Sequence, residues 1–236
     1  MRRVTLSLAV VAVLLLVLAG PGVRAGFWTF GTGFQLLRWG AYLGIVAGVL
    51  AIVLLLRPAW RAPTAWPLVL AVLLGLLAVG VPWYWLQRAK RVPPIHDITT
   101  DTQRPPAFDA VLPLRAGAAN PATYGGPEVA EQQLKAYPDV KPLFLPTTAP
   151  AAAFHRALAA ARASGWDLVA ADSAAGRIEA TATTGWFGFK DDVVVRIEPE
   201  GTGSRIDVRS VSRVGKSDVG TNARRIVAYL RRVQSG

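Results

Sequence analysis

Hydrophobic and polar positions divide this chain into two regimes. The first holds three long apolar runs, at about 4–20, 39–56 and 66–86. A helix needs roughly 20 apolar residues to cross a bilayer, so these runs predict a membrane anchor of three transmembrane helices within residues 1–90. Aromatic residues stand at their edges. Phe27, Trp28 and Phe30 follow the first run, Trp39 and Trp60 bracket the second, and Trp66 with Trp83, Tyr84 and Trp85 bracket the third. Such residues concentrate where headgroups meet water. The first run, in "MRRVTLSLAVVAVLLLVLAGPGVRAG", also fits a secretory signal, with a basic start, an apolar middle and the small Ala25 at the cleavage point.

The second regime begins at Arg91. Residues 91–149 hold so many prolines, among them Pro93, Pro94, Pro105 and Pro106, that no long helix fits. Scattered apolar residues (Phe108, Val111, Leu112, Leu114, Leu143, Phe144, Leu145) predict an extended segment packed on a domain, with a short helix near Glu128–Ala136. Over residues 150–236 the periods are regular. Phe154, Ala157, Leu158 and Ala161 recur at helical spacing between Pro150, suited to a first turn, and Gly165, suited to a stop. Four runs alternate as strands do: Trp166–Ala171, Arg177–Thr184, Asp192–Pro199 and Ser204–Ser212. A last helix, Asp218–Val233, turns Ala223, Ile226, Val227 and Leu230 inward and Arg224, Arg225, Arg231 and Arg232 outward. The order α-β-β-β-β-α predicts an α+β domain: an antiparallel sheet of four or five strands packed by two helices.

Charge sharpens this division. The net charge is +11. Residues 1–91 hold nine Lys and Arg and no Asp or Glu, whereas residues 92–236 are nearly balanced. The excess flanks apolar runs instead of forming a patch on a soluble domain, which predicts a bilayer as partner and no nucleic acid. With Arg2 and Arg3 inside, three crossings end outside; cleavage after the first run leaves the same end outside. The remaining basic residues decide less, since Arg57 and Arg61 oppose Arg24, Arg38, Arg88, Lys90 and Arg91. The expected location is therefore the cytoplasmic (inner) membrane, with the C-terminal domain on the extracytoplasmic side. Cysteine is absent, which excludes disulfides, thiolate catalysis and Cys-ligated metals. With two histidines besides, no metal and no cofactor is expected.

Several stretches, "PPIHDITTD", "NPATY", "AYPDVKPL", "GRIEAT", "WFGFKDDVVVRI" and "GSRIDVRSVSRVGKSDVGTNARRI", resemble a bacterial domain-of-unknown-function family numbered 1499. The resemblance covers the chain from about Pro93 to its end. The apolar head, with "GFWTFGTGFQLLRWG", resembles its membrane-anchored members. It implies the architecture and carries no chemistry.

Candidate chemistry is sparse. His96, Asp97 and Asp101 lie together in sequence, but an extended chain advances ~3.3 Å per residue and turns neighbours to opposite faces. A catalytic group would need partners from elsewhere, and Asp191, Arg209 and Arg213 are the candidates. The alternative is that these side chains tie the linker to the domain. "SVSRVGKSDVG" has the outline of a phosphate-binding loop, but Ser210 stands where that loop needs glycine. A milder anion site at the helix N-terminus would use Arg213, Lys216, Ser217 and Asn222; its alternative is an ordinary cap by Ser217 or Asp218. The aromatics of "GWFGFKDD" suit either a lipid- or ligand-contacting loop or the end of a core, and Lys190–Asp191–Asp192 reads as a solvated strand start. Two functions stay open. One is a binding or structural role in the cell envelope, with an envelope protein or lipid as partner. The other is a membrane-anchored hydrolase using a His/Asp/Arg cluster.

Overall fold

The structure is a computed structural model that describes residues 1–57 and 65–236; Trp60 and Arg61 lie outside the described residues. The chain forms two compact units, Met1–Lys90 with Gly185–Gly188, and Arg91–Thr184 with Phe189–Gly236.

The helical unit contains α1 (Arg2–Arg24), α2 (Phe30–Leu56) and α3 (Trp66–Lys90), each long and apolar enough to cross a membrane. α2 begins nine residues before the apolar run at Trp39, because Thr29 caps it by accepting a bond from the Thr32 N–H. An apolar window marks where a helix turns greasy, not where it starts. Small residues let the helices approach closely: Ala9, Ala12 and Ala19 of α1 and Ala47 and Ala51 of α2 are fully buried. Gly44 of α2 lies so close to Gly75 of α3 that a methyl group there would come within 3.0 Å of the Gly75 carbonyl oxygen.

The α+β unit is built on one antiparallel sheet of six strands: β1 (Asp97–Thr99), β2 (Leu143–Leu145), β3 (Asp167–Asp172), β4 (Arg177–Thr183), β5 (Lys190–Glu200) and β6 (Gly203–Ser212). The order is β1-β6-β5-β4-β3, with β2 also pairing β6 along the edge that β1 uses. The four long strands fall where alternation placed them. The two extra strands come from the proline-rich segment, and at three residues each they are too short to show a period. Gly201 takes a left-handed turn between β5 and β6 (φ 58°). At Gly203 a side chain would collide with the carbonyl of Leu145 as β2 crosses.

Each face of the sheet has its own cover. On one face Ile178, Ala180, Val193, Val195, Ile206 and Val208 pack against α5 (Pro150–Ala163) and α6 (Thr221–Ser235) through Phe154, Ala157, Ile226 and Tyr229. Leu158 is only partly buried, while Ala157 and Tyr229 are fully buried. The other face carries Glu179, Thr181, Asp192, Arg196, Asp207, Arg209 and Arg213, interrupted by Val194 and Val211. It is covered by residues 101–126, a strap that contributes Phe108 and Val111. Helix α4 (Pro127–Ala136) follows the strap. Its Gln133, fully buried, donates to the Thr99 carbonyl at 2.7 Å and accepts from the Thr99 N–H at 2.8 Å, so a side-chain amide acts as one more rung on the edge of β1.

Candidate functional site

The charged face beneath the strap gathers four of the residues that the sequence offered for chemistry, Asp97, Asp101, Arg209 and Arg213. Alternation along the strands forces this. Asp207 and Arg209 on β6, Arg213 just past its end, Asp192 and Arg196 on β5 and Glu179 on β4 all point away from the helices. Register then sets opposite charges side by side, with Arg196 directly across from Asp207.

Three clusters result. In the first, Arg209 donates from Nε and Nη2 to the two Asp97 carboxylate oxygens at 2.9 and 2.7 Å, and from Nη1 and Nη2 to the carbonyls of Pro106 and Ala122. Its guanidinium lies over the rings of Phe108 and Tyr124, 5.0 and 5.5 Å from their centroids. Burial raises the Asp97 carboxyl above its ordinary value while Arg209 pulls the other way. Burial also pushes the Tyr124 hydroxyl up to about 12, helped by the Asp97 charge. In the second cluster, Asp192 accepts from Arg115 Nη1 at 2.5 Å, Arg213 Nε at 2.9 Å and Nη2 at 2.8 Å, and Thr181 Oγ1 at 2.7 Å. In the third, Arg196 and Arg205 both pair with Asp101 and Asp207 at 2.8–3.1 Å. Burial would raise the carboxyls of Asp192 and Asp101, but the donors around them outweigh it and hold both below the usual carboxylate range. Glu179, 1% exposed, accepts from the backbone N–H groups of Asp109 and Val111, so the strap is also held by its main chain.

Asp191 and Asp192 thus depart from a solvated strand start: they are 2% and 0% exposed. They point to opposite faces of β5, Asp192 under the strap and Asp191 toward α6, where Arg225 Nη2 reaches it at 2.6 Å. Arg225 correspondingly turns inward, against the sequence expectation. Asn222, fully buried, joins α6 to the sheet, accepting from Ser210 Oγ and donating to the His96 carbonyl and Ser212 Oγ.

His96 joins none of the three clusters. Its backbone carbonyl accepts from the Ser212 N–H, and its ring makes one long contact, Nδ1 to the Lys216 carbonyl at 3.4 Å. The loop before α6 supplies its own anion. Asp218 accepts from the N–H groups of Gly220 and Asn222, at 2.8 and 2.7 Å, and Ser217 Oγ accepts from the Val219 N–H. Arg213 is engaged by Asp192, and Lys216 stays exposed. Burial raises the Asp218 carboxyl although both N–H bonds oppose it. Among the described residues no group of three or more His, Asp and Glu is placed to hold a metal. Sequence reasoning did not reach Arg115, Glu179, Asp207 or Gln133. The acidic and basic alternation in "RIDVRSVSR" was the available signal for Asp207; nothing local marks the others, whose roles rest on partners such as Thr99 for Gln133, Val111 for Glu179 and Asp192 for Arg115, 34 to 77 residues away.

Residues 97–233 match the family described as Protein of unknown function (DUF1499). The chain belongs to this family. The DUF1499 match opens on Asp97, the first residue of β1 and the partner of Arg209, and runs to Val233 in α6. The family unit therefore takes in the strap and both short strands, and leaves out the apolar helices. No curated protein matches the chain.

Proposed function

We propose that this DUF1499 protein is an integral membrane protein of the cytoplasmic (inner) membrane. Its α+β domain stands on the extracytoplasmic side and has a binding or structural role in the cell envelope, with an envelope protein or lipid as partner. The observation that supports a non-catalytic reading is how the charged face is used. Asp97, Asp101, Asp192 and Asp207 each sit against at least one guanidinium, and these groups fasten the strap to the sheet. A general acid or base must reach a substrate proton, and Asp97, Asp192 and Asp207 are at most 5% exposed. The membrane reading draws on three helices of sufficient length and apolarity and on the absence of acidic residues from the first 91 positions.

Placement is tested with reporters fused after Gly236. Alkaline phosphatase, active only when exported, should be active in this fusion, and a reporter that works only in the cytoplasm should be silent. The opposite pair of results would overturn the assigned orientation. On the functional side, complementation of a deletion strain should follow the amount of folded protein and not the identity of any one charged side chain.

A further inference from the structure

We propose that a cleft in the α+β unit, between the end of α5, the end of β4 and one side of α6, binds a small organic monoanion. The oxyanion, a carboxylate or phosphodiester, would sit on Arg232, and the apolar body would lie against Trp166, Ala182 and Ala228. The cleft is open to solvent and offers about 250 Å³. That is more than a bare ion fills, so an occupant that uses it has a body as well as a charge.

The wall is rigid. Trp166, where the chain leaves α5, stacks on Tyr229 of α6 with ring centroids 4.7 Å apart and planes 28° from parallel. Tyr229 is 1% exposed and its hydroxyl donates to the Ala157 carbonyl at 2.9 Å, which holds its ring in place against Trp166. Ala182 and Ala228 leave the room that larger residues would take.

Two guanidiniums line the cleft, and they are not equivalent. Arg225 is matched by Asp191 and further held by Ser210 and Asn222, so its charge is spent within the fold. Among the described residues, Arg232 donates from Nη1 alone, to the Ala163 carbonyl at 2.8 Å, and no carboxylate stands within 4 Å of it. That bond fixes the side chain at the cleft and leaves its Nη2 and Nε hydrogens for a ligand. The surroundings add positive potential, since α6 carries Arg224, Arg225, Arg231 and Arg232 and no acidic residue. Arg232 is solvent-exposed and has no carboxylate beside it, so it can take up one negative charge, and its flat fork suits an oxyanion.

This deepens the binding reading and rests on it. An empty cleft would leave the complementation and orientation results unchanged, so the two ideas fail separately. The test uses the full chain in phosphatidylcholine nanodiscs, titrated calorimetrically against empty discs. Hexanoate should bind. Acetate, which lacks the body, and hexanamide, which lacks the charge, should each bind about tenfold more weakly or not at all. Dibutyl phosphate distinguishes the source: tighter binding than hexanoate supports a lipid headgroup, and weaker binding supports a free carboxylate. Arg232→Ala should weaken hexanoate about tenfold. Ala228→Trp fills the cleft from an exposed helix position and should abolish binding without lowering the melting temperature, which keeps the test valid if Arg232→Ala fails to fold. Binding of neither hexanoate nor dibutyl phosphate, or hexanoate binding unaffected by Ala228→Trp, overturns the proposal.

Discussion

Replacing Asp192 with alanine is expected to destabilise the α+β unit by about 3–5 kcal/mol, the usual result of removing one member of a buried ion pair. Asp192 is fully buried, and the side chain of Arg115 is 4% exposed, so the substitution leaves a guanidinium without water or counter-charge. Arg213, at 16% side-chain exposure, can turn toward solvent and softens the loss. Domains of this size are stable by only about 5–15 kcal/mol, so the midpoint in a urea titration should fall by a large fraction. Asp192→Asn keeps the shape and some acceptor capacity and should cost less. It should also change the response to acid. Because the Asp192 carboxyl is held below its ordinary value in the folded protein, its stabilisation is complete above about pH 4, the value in an unfolded chain. It is lost as pH falls further, through the folded value. Asp101 adds in the same direction. Asp192→Asn should therefore lose less stability than the parent between neutral pH and about pH 3. An equal or steeper loss would contradict the role given to this carboxylate.

The second large effect is expected at Glu179. Its carboxylate closes the strap by accepting from the backbone N–H groups of Asp109 and Val111 at 3.0–3.1 Å. Glu179→Ala leaves these donors without their acceptor at a buried site, at about 1–3 kcal/mol for each group that water cannot reach. The damage should be local at first. The strap has no regular ladder of its own, so it should open while the sheet and its helices persist. Limited proteolysis should cut within residues 101–126 many times faster than in the parent, with circular dichroism little changed. Glu179→Gln retains one acceptor and should lie between. If the strap of Glu179→Ala resists protease as well as the parent, the carboxylate does not hold it.

How much of this was legible in the sequence depends on how far apart the partners lie. Helices α5 and α6 and strands β3 to β6 announce themselves through local period, and the structure places them within a few residues of those patterns. The strap has no period, and its role follows from contacts that span tens of residues, such as Arg115 to Asp192 and Asp109 to Glu179. Lys190–Asp191–Asp192 shows the limit most plainly. Three charged residues in a row look solvated, yet both aspartates are buried because Arg225 approaches one face of β5 while Arg115 and Arg213 approach the other. The same reasoning misdirected Arg225. On a helical wheel it belongs with the outward arginines, and only the position of Asp191 on the neighbouring sheet turns it inward. For the candidate site, the sequence offered Asp97, Asp101, Asp191, Arg209 and Arg213 as catalytic candidates. It could not show which groups they meet: Asp97 pairs with Arg209, but Asp101 pairs with Arg196 and Arg205, Asp191 with Arg225, and Arg213 with Asp192.

The central claim is that these charges fasten the strap and perform no chemistry. The most direct measurement replaces a whole pair. Asp97→Leu combined with Arg209→Met removes the bidentate ion pair while keeping apolar bulk against Phe108, and swaps of this kind are often neutral or better for stability. Arg209→Met alone leaves Asp97 buried and unpaired, and serves as the destabilised comparison. Complementation of a deletion strain is measured for parent, single and double variants and divided by the amount of folded protein in the membrane. The account predicts that activity per folded molecule stays at the parental level in the double variant, and that the single variant loses activity only as it loses folded protein. A double variant that is abundant, folded and inactive would contradict it, and would make Asp97 and Arg209 part of a working site.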